Sequence, residues 1–224
     1  MKSLLILGAG GFGHMIQETA MQLGYEKVSF LDDAVKDPLV VGKCCDYRDF
    51  LDSYEAAVAA LGDNGMRLYW TEKLMEAGYQ VPALIHPSAV VSPSAVIGQG
   101  SFVLQRAVVN THTVVEHGVL INSGAVVDHD SYIASGAHIG LGSVVKSNCT
   151  IASKRKVEAG EVIFSTRRKI DGVSDRNLED ASYAFGFGPR CSYVKPFGAG
   201  HINETYAVYM PMADGEDELA YVLQ

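Results

Sequence analysis

The longest-running pattern in the chain has a period of six. Stepping by six from Ile85 gives Ile85, Val91, Ile97, Val103, Val109, Val115, Ile121, Val127, Ile133, Ile139, Val145, Ile151, Val157 and Ile163, and every one is Val or Ile. Four residues after each, as far as Cys149, stands a small or compact side chain: Ala89, Ala95, Ser101, Ala107, Thr113, Val119, Ala125, Ser131, Ala137, Ser143 and Cys149. A period of six matches neither an α-helix at 3.6 nor a plain strand at 2. It predicts a solenoid of short strands and turns, three hexads to a triangular coil. The β-branched residue points into the prism and the small residue sits at the crowded corner. Fourteen hexads make nearly five coils, each burying its apolar row only against its neighbours. The prediction for 84–164 is a left-handed parallel β-helix, an exception to right-handed crossovers. The row of small residues breaks at Arg155 and Glu161, where the solenoid nears its end.

Residues 1–83 follow a different rhythm. Leu4–Leu7 is a buried-strand run that leads into Gly8-Ala9-Gly10-Gly11-Phe12-Gly13, and a helical pattern follows to Leu23. Lys27–Leu31 reads as a second strand ending at Asp32-Asp33, Tyr47–Tyr54 as a helix and Ala56–Ala60 as a third strand. The loop Gly62-Asp63-Asn64-Gly65 then opens a helix over Met66–Ala77. Strands alternating with helices predict a parallel α/β sheet. Beyond the solenoid, 165–190 reads as a linker. In 191–224, strand-like Cys191–Lys195 and Tyr206–Met210 flank a Gly-rich segment, which predicts a β-hairpin.

Composition narrows the functional classes. The net charge is −8, whereas a general nucleic-acid binder is usually basic. Cys44, Cys45, Cys149 and Cys191 form no C-x-x-C pair, so no zinc or redox motif is present. No stretch approaches the ~20 apolar residues of a membrane span, and Leu4–Leu7 is too short for a signal-peptide core. The expectation is a cytoplasmic protein with neither nucleic acid nor membrane as partner. Glycine, at 23 of 224 residues, exceeds the ~7% of average usage without a collagen period.

Gly8-x-Gly10-x-x-Gly13, after a strand and before a helix, matches the dinucleotide fingerprint, with Asp32 and Asp33 about twenty residues on. A stretch of about eighty residues holds one mononucleotide half, not the two that a dinucleotide needs. A nucleotide or nucleotide-sugar, its phosphate on the helix N-terminus, suits the motif better than NAD. A tight βα turn needing small residues for packing is the other reading. Of seven histidines, His129 is distinctive, in a turn between Asp128 and Asp130. A carboxylate beside a turn histidine raises its basicity and fixes its tautomer, as a general base requires. Simple solvent exposure is the expectation for His86, His112 and His117. The six-residue register does not bring three histidines together, so no metal is expected. Lys154-Arg155-Lys156 is either a contact for cofactor phosphates or a solvated basic turn.

The combined order of motifs points to a family. GAGGFG, a strand ending FLDD, a G-D-N-x-x-R loop and LIHPSAVVSPSAVIG opening the hexads together resemble the left-handed β-helix sugar O-/N-acyltransferases, of the sialic-acid O-acetyltransferase and UDP-4-amino-sugar N-acetyltransferase type. The resemblance covers Met1 to about Ile163. It implies acetyl transfer from acetyl-CoA to an amine or hydroxyl of a sugar or nucleotide-sugar, in a homotrimer with acetyl-CoA between subunits. It also implies that His129 is the base, assisted by Asp130, that His138 contacts acetyl-CoA, and that the Ser147 backbone N–H stabilises the oxyanion. The nucleotide-sugar would meet Gly10, Gly11, Phe12, Asp32, Asp33 and Gly62. Phe12 stands where many members have His, and the solenoid is shorter than is usual for them.

PFGAGHINETYAV followed by YVLQ resembles the start of an aminoglycoside-phosphotransferase-like sugar kinase, whose Gly-rich hairpin covers ATP phosphates. No room follows for that fold's catalytic and metal-binding Asp residues, so the tail reads as a fusion remnant or truncation. Two other classes remain open on the residues: a nucleotide-sugar-binding scaffold and an NAD(P)-dependent oxidoreductase.

Overall fold

The structure is a computed structural model that describes residues 2–164 and the backbone of 193–196, 206–211 and 217–223. The expected linker and the Gly-rich segment of the tail lie outside the described residues. The chain divides into two units, Met1–Arg167 and Arg168–Gln224.

The first unit begins with strand β1 (Ser3–Leu7), helix α1 (Gly11–Gln22) and strand β2 (Lys27–Leu31). Strand β3 (Val40–Gly42), a 3₁₀ helix (Cys44–Phe50), strand β4 (Ala56–Ala59) and helix α2 (Asn64–Glu76) follow. The four strands form one parallel sheet in the order β3-β2-β1-β4. β1 and β4 are buried along their whole length, as their unbroken apolar runs require of a sheet covered on both faces. The expected helix at Tyr47–Tyr54 starts earlier and is 3₁₀, because the Asp46 carboxylate accepts the Lys43 N–H at 2.9 Å and starts the turn there. Strand β3, three residues long, carried no periodic signal.

From Leu84 the chain forms, among the described residues, fourteen two-residue strands, β5 (Leu84–Ile85) to β18 (Val162–Ile163). They stack as three parallel sheets, β5-β8-β11-β14-β17, β6-β9-β12-β15-β18 and β7-β10-β13-β16. Residues eighteen apart pair, as Val108, Val126 and Val144 do. This is the left-handed β-helix. The second residue of each strand points inward, and Val103 to Val157 of the six-step row are buried with the compact corner residues Ala107, Ala125, Ala137 and Cys149. Fully buried aliphatic side chains contribute ~1.5–3 kcal/mol each, so this repeated row carries the solenoid.

The first residues of the β5, β8 and β11 strands, Leu84, Phe102 (β8, Phe102–Val103) and Leu120 (β11, Leu120–Ile121), point outward yet are buried. They share a core with Leu4, Ile6, Ile16 and Phe30, so the α/β domain lies on that face of the prism. In the second unit, β19 (Tyr193–Pro196), β20 (Tyr206–Pro211) and β21 (Asp217–Leu223) form an antiparallel sheet in that order. Among the described residues, no helix is long and apolar enough to cross a membrane.

Candidate active site

Each corner of the prism is a four-residue turn, and the same corner recurs eighteen residues on. The corner after β12 (Val126–Val127) holds Asp128, His129, Asp130 and Ser131. The Asp130 N–H donates to the Thr111 carbonyl at 3.0 Å and the Asn148 N–H to the His129 carbonyl at 3.1 Å, so three successive turns are clamped in register. Thr113 and Ser131 hydroxyls donate to the carbonyls of Asp128 and Lys146, at 3.0 and 3.1 Å, and tie the same turns from inside.

On this frame His129 Nδ1 lies 2.7 Å from Asp130 Oδ2. Its N–H points to the carboxylate, which leaves Nε2 as the open nitrogen of a side chain 49% exposed. The bond from Asp130 raises His129 above the ordinary imidazole range against the opposing effect of desolvation, and the Asp128 charge adds to it. His129 holds Asp130 low in turn. Asp128 is held low by the His129 backbone N–H, at 2.9 Å, and the Asn110 amide, at 3.0 Å. Ser147 occupies the next turn of the same corner, one coil on from His129. Its N–H donates to no backbone carbonyl among the described residues.

His138 has an opposite environment. It is the outward residue of β14 (His138–Ile139), between Leu120 and Lys156 on the face that carries the α/β domain. Its Nε2 lies 3.1 Å from Asn122 Nδ2, which donates. Burial, then the Arg67 and Lys156 charges, lower it to about 4. It is therefore a neutral imidazole. His129 and His138 thus face different partners: one stands at a corner, the other on the sheet opposite that corner. A single subunit does not bring them together.

The glycine loop is built for close approach. A Cβ at Gly13 would meet the Gly8 carbonyl at 2.0 Å, and one at Gly8, with φ +102°, would meet the Ala60 carbonyl at 2.7 Å. Gly10 and Gly11 have open space where a Cβ would stand. Gly10 caps α1 without a side-chain bond, so the first N–H groups of the helix face that opening. Asp32 Oδ2 accepts the Ala9 N–H and Oδ1 those of Ala34 and Val35, all at 2.8 Å. Partial burial pushes Asp32 up, but these three bonds outweigh it and hold it below the usual range. Asp33 accepts the Cys44 N–H at 3.1 Å. Phe12 turns into the seam between the domains, edge to face on Phe102 with ring centroids 5.4 Å apart. Gly62 is exposed in the loop before α2.

Of the three histidines expected to be solvated, His112 is exposed, whereas His86 is buried and His117 half-buried. His86 is buried, its Nδ1 accepting the Ser88 N–H at 3.1 Å to close the first corner. His117 lies 3.3 Å from both Glu72 of α2 and the Ser135 hydroxyl. His112 is exposed but has its Nδ1 3.4 Å from Asp130 Oδ1. Turn periodicity alone did not show the partners of His112 and His117, because they come from other coils or from α2. In the basic turn, Lys156 and Arg155 lie 2.8 and 3.8 Å from Glu158 and Glu161. Among the described residues, no three metal-ligating side chains gather.

Comparison with known proteins decides the family. Residues 3–74 match the PglD N-terminal domain. Over the fold as a whole, the chain is similar to the acetyltransferase domain of PglB from Neisseria gonorrhoeae FA1090, solved with acetyl coenzyme A: 34% identical, TM-score 0.67, covering 73% of this chain and 91% of that one. The chain belongs to the family of the PglB acetyltransferase domain. PerB from Caulobacter crescentus, solved with CoA and GDP-perosamine, is 27% identical with a TM-score of 0.65, covering 74% of this chain and 90% of that one. Two further structures of that enzyme, a GDP-perosamine N-acetyltransferase, carry a single histidine changed to Ala or Asn.

Proposed function

We propose that this family member transfers the acetyl group of acetyl-CoA to the amine of a nucleotide-activated amino sugar, with His129 as general base. The observation that carries the reading is the 2.7 Å contact of His129 Nδ1 with Asp130, which orients the ring and leaves Nε2 open. The acceptor nitrogen attacks the thioester carbonyl carbon while Nε2 takes its proton. The carbon–sulfur bond then breaks and His129 returns the proton to the departing CoA sulfur. The Ser147 N–H is the oxyanion donor. No nucleophilic Cys or Ser stands next to His129, so attack is direct.

The acceptor's phosphates lie at Gly10 and Gly11 on the α1 N-terminus, and the nucleoside lies toward Asp32, Asp33 and Gly62. His138, neutral, contacts acetyl-CoA. His129 and His138 stand on opposite sides of one prism, so the complete site lies between two subunits, and the assembly is a homotrimer. Free Cys44, Cys45 and Cys149 accord with a cytoplasmic protein. The sugar-kinase likeness of the tail belongs to the second unit and takes no part in acetyl transfer. The testing experiment is thiol release from acetyl-CoA, screened over UDP- and GDP-linked amino sugars, sialic acids and simple amines. Release only with nucleotide-linked amino sugars is expected, and release with none of them contradicts the reading.

A further inference from the structure

The third position of every corner turn tends to be left-handed. At two corners it is mostly glycine, Gly100, Gly118 and Gly136 at one and Gly124, Gly142 and Gly160 at the other. At the corner that bears His129 it is His112, Asp130 and Asn148, with φ of 58°, 55° and 57°. His, Asp and Asn are the non-glycine residues that adopt this conformation most readily, and Arg106 and Lys154 hold it at the other two corners. His112 and Asp130 are stacked one coil apart. Asp130 therefore has a histidine on each oxygen: His129 Nδ1 at 2.7 Å from Oδ2 and His112 Nδ1 at 3.4 Å from Oδ1. The His112 turn is itself fixed, since its N–H donates to the Ser94 hydroxyl at 3.2 Å.

We propose that His112 is a positioning residue for acetyl transfer: it engages the second oxygen of Asp130 and limits how much of that carboxylate's charge acts on His129. The inference rests on His129 as the base. Its logic is that a base flanked by two carboxylates, Asp128 and Asp130, risks being protonated at working pH, where it has no catalytic use. The other charged group of this corner, Lys146 one coil on, acts on Asp128. Asp128 already has Asn110 and the His129 N–H to stabilise it. Asp130 has, besides His129 itself, only His112 among the side-chain contacts of the described residues.

Two substitutions separate this role from a structural one. His112→Gly suits the left-handed turn and removes the imidazole. His112→Lys puts a permanent cation beside Asp130, and Lys154 occupies the same turn conformation elsewhere in the chain. The readouts are the pH dependence of kcat and the histidine NMR titration of His129 in the full-length protein. In His112→Gly the acid limb and the His129 titration should move up by about 0.2–0.7 of a pH unit, and in His112→Lys down by a similar amount, the size of an exposed charge pair. Rates on the alkaline plateau should stay within about twofold. No movement of the His129 titration, or movement of both variants in one direction, overturns the proposal. Failure of the base assignment would instead show as activity surviving in His129→Ala, while the His129 titration still moves in the two His112 variants.

Discussion

Arg67 on α2 donates from Nη2 to the carbonyl oxygen of Gly136 at 2.8 Å, across the boundary between the α/β domain and the solenoid. The same guanidinium reaches Gly118 one coil away through Nε at 2.9 Å, Leu61 through Nη1 at 3.1 Å and Asn64 Oδ1 at 2.9 Å. Its side chain is fully buried, and burial lowers its pKa to about 10, so it remains a cation. Arg67 thus fixes α2 against two successive corners and sets the charge beside His138.

Removing this side chain orphans several buried carbonyls at once. Arg67→Met keeps the apolar stem but supplies no donor, and each buried acceptor left unpaired costs about 1–3 kcal/mol. A fall of at least about 2 kcal/mol in unfolding free energy is expected, read from the denaturant midpoint. An unchanged midpoint would show that water replaces the guanidinium at little cost.

His138 makes the fold acid-sensitive. Its native pKa is lowered to about 4, against ~6.5 for an unfolded histidine. Between these values the unfolded chain binds the extra proton, so stability is fully present above about 6.5 and is lost as pH falls toward 4. In His138→Gln the decline over that window should be shallower than in the native protein. An equal slope would mean that His138 is protonated in the fold without strain.

Asp130 sets the basicity of its neighbour. Asp130→Asn retains an acceptor for the Nδ1–H but loses the charge that raises His129. The acid limb of kcat should therefore move to lower pH while the plateau rate falls, by less than in His129→Ala. An unmoved limb would assign the limb to another group.

A site shared between two subunits, as proposed, predicts complementation. His129→Ala and His138→Ala are each expected to be weakly active, but a trimer assembled from both contains interfaces with His129 from one subunit and His138 from the next. Refolding the two together should restore activity at about a quarter of the interfaces if mixing is random. No gain over the separate variants would place both residues in one subunit's site.

Much of this was legible in the sequence because the solenoid repeats its constraint. Fourteen inward Val or Ile positions and eleven compact corner residues fix the register, and the register places His129 in a turn. Gly8 and Gly13 were legible for the same local reason, a strand-to-helix turn too tight for a Cβ. The contacts that needed the fold are those made between coils or domains. Arg67 stood in the G-D-N-x-x-R loop as one charged residue among many, and nothing local said that its Nε and Nη2 reach carbonyls of two successive coils. His117 looked like a solvated turn residue because its partner, Glu72 on α2, carries no periodic mark. Phe12 sat in the glycine loop by sequence, but its ring lies against Phe102 in the domain seam.

Whether His129 removes the acceptor's proton is read most directly from kcat for acetyl transfer by His129→Ala, with the fold verified by thermal melting. A loss of ~10²–10⁴-fold with the melt unchanged is expected, the usual contribution of a general base. A folded His129→Ala protein within a few-fold of the native rate would contradict it.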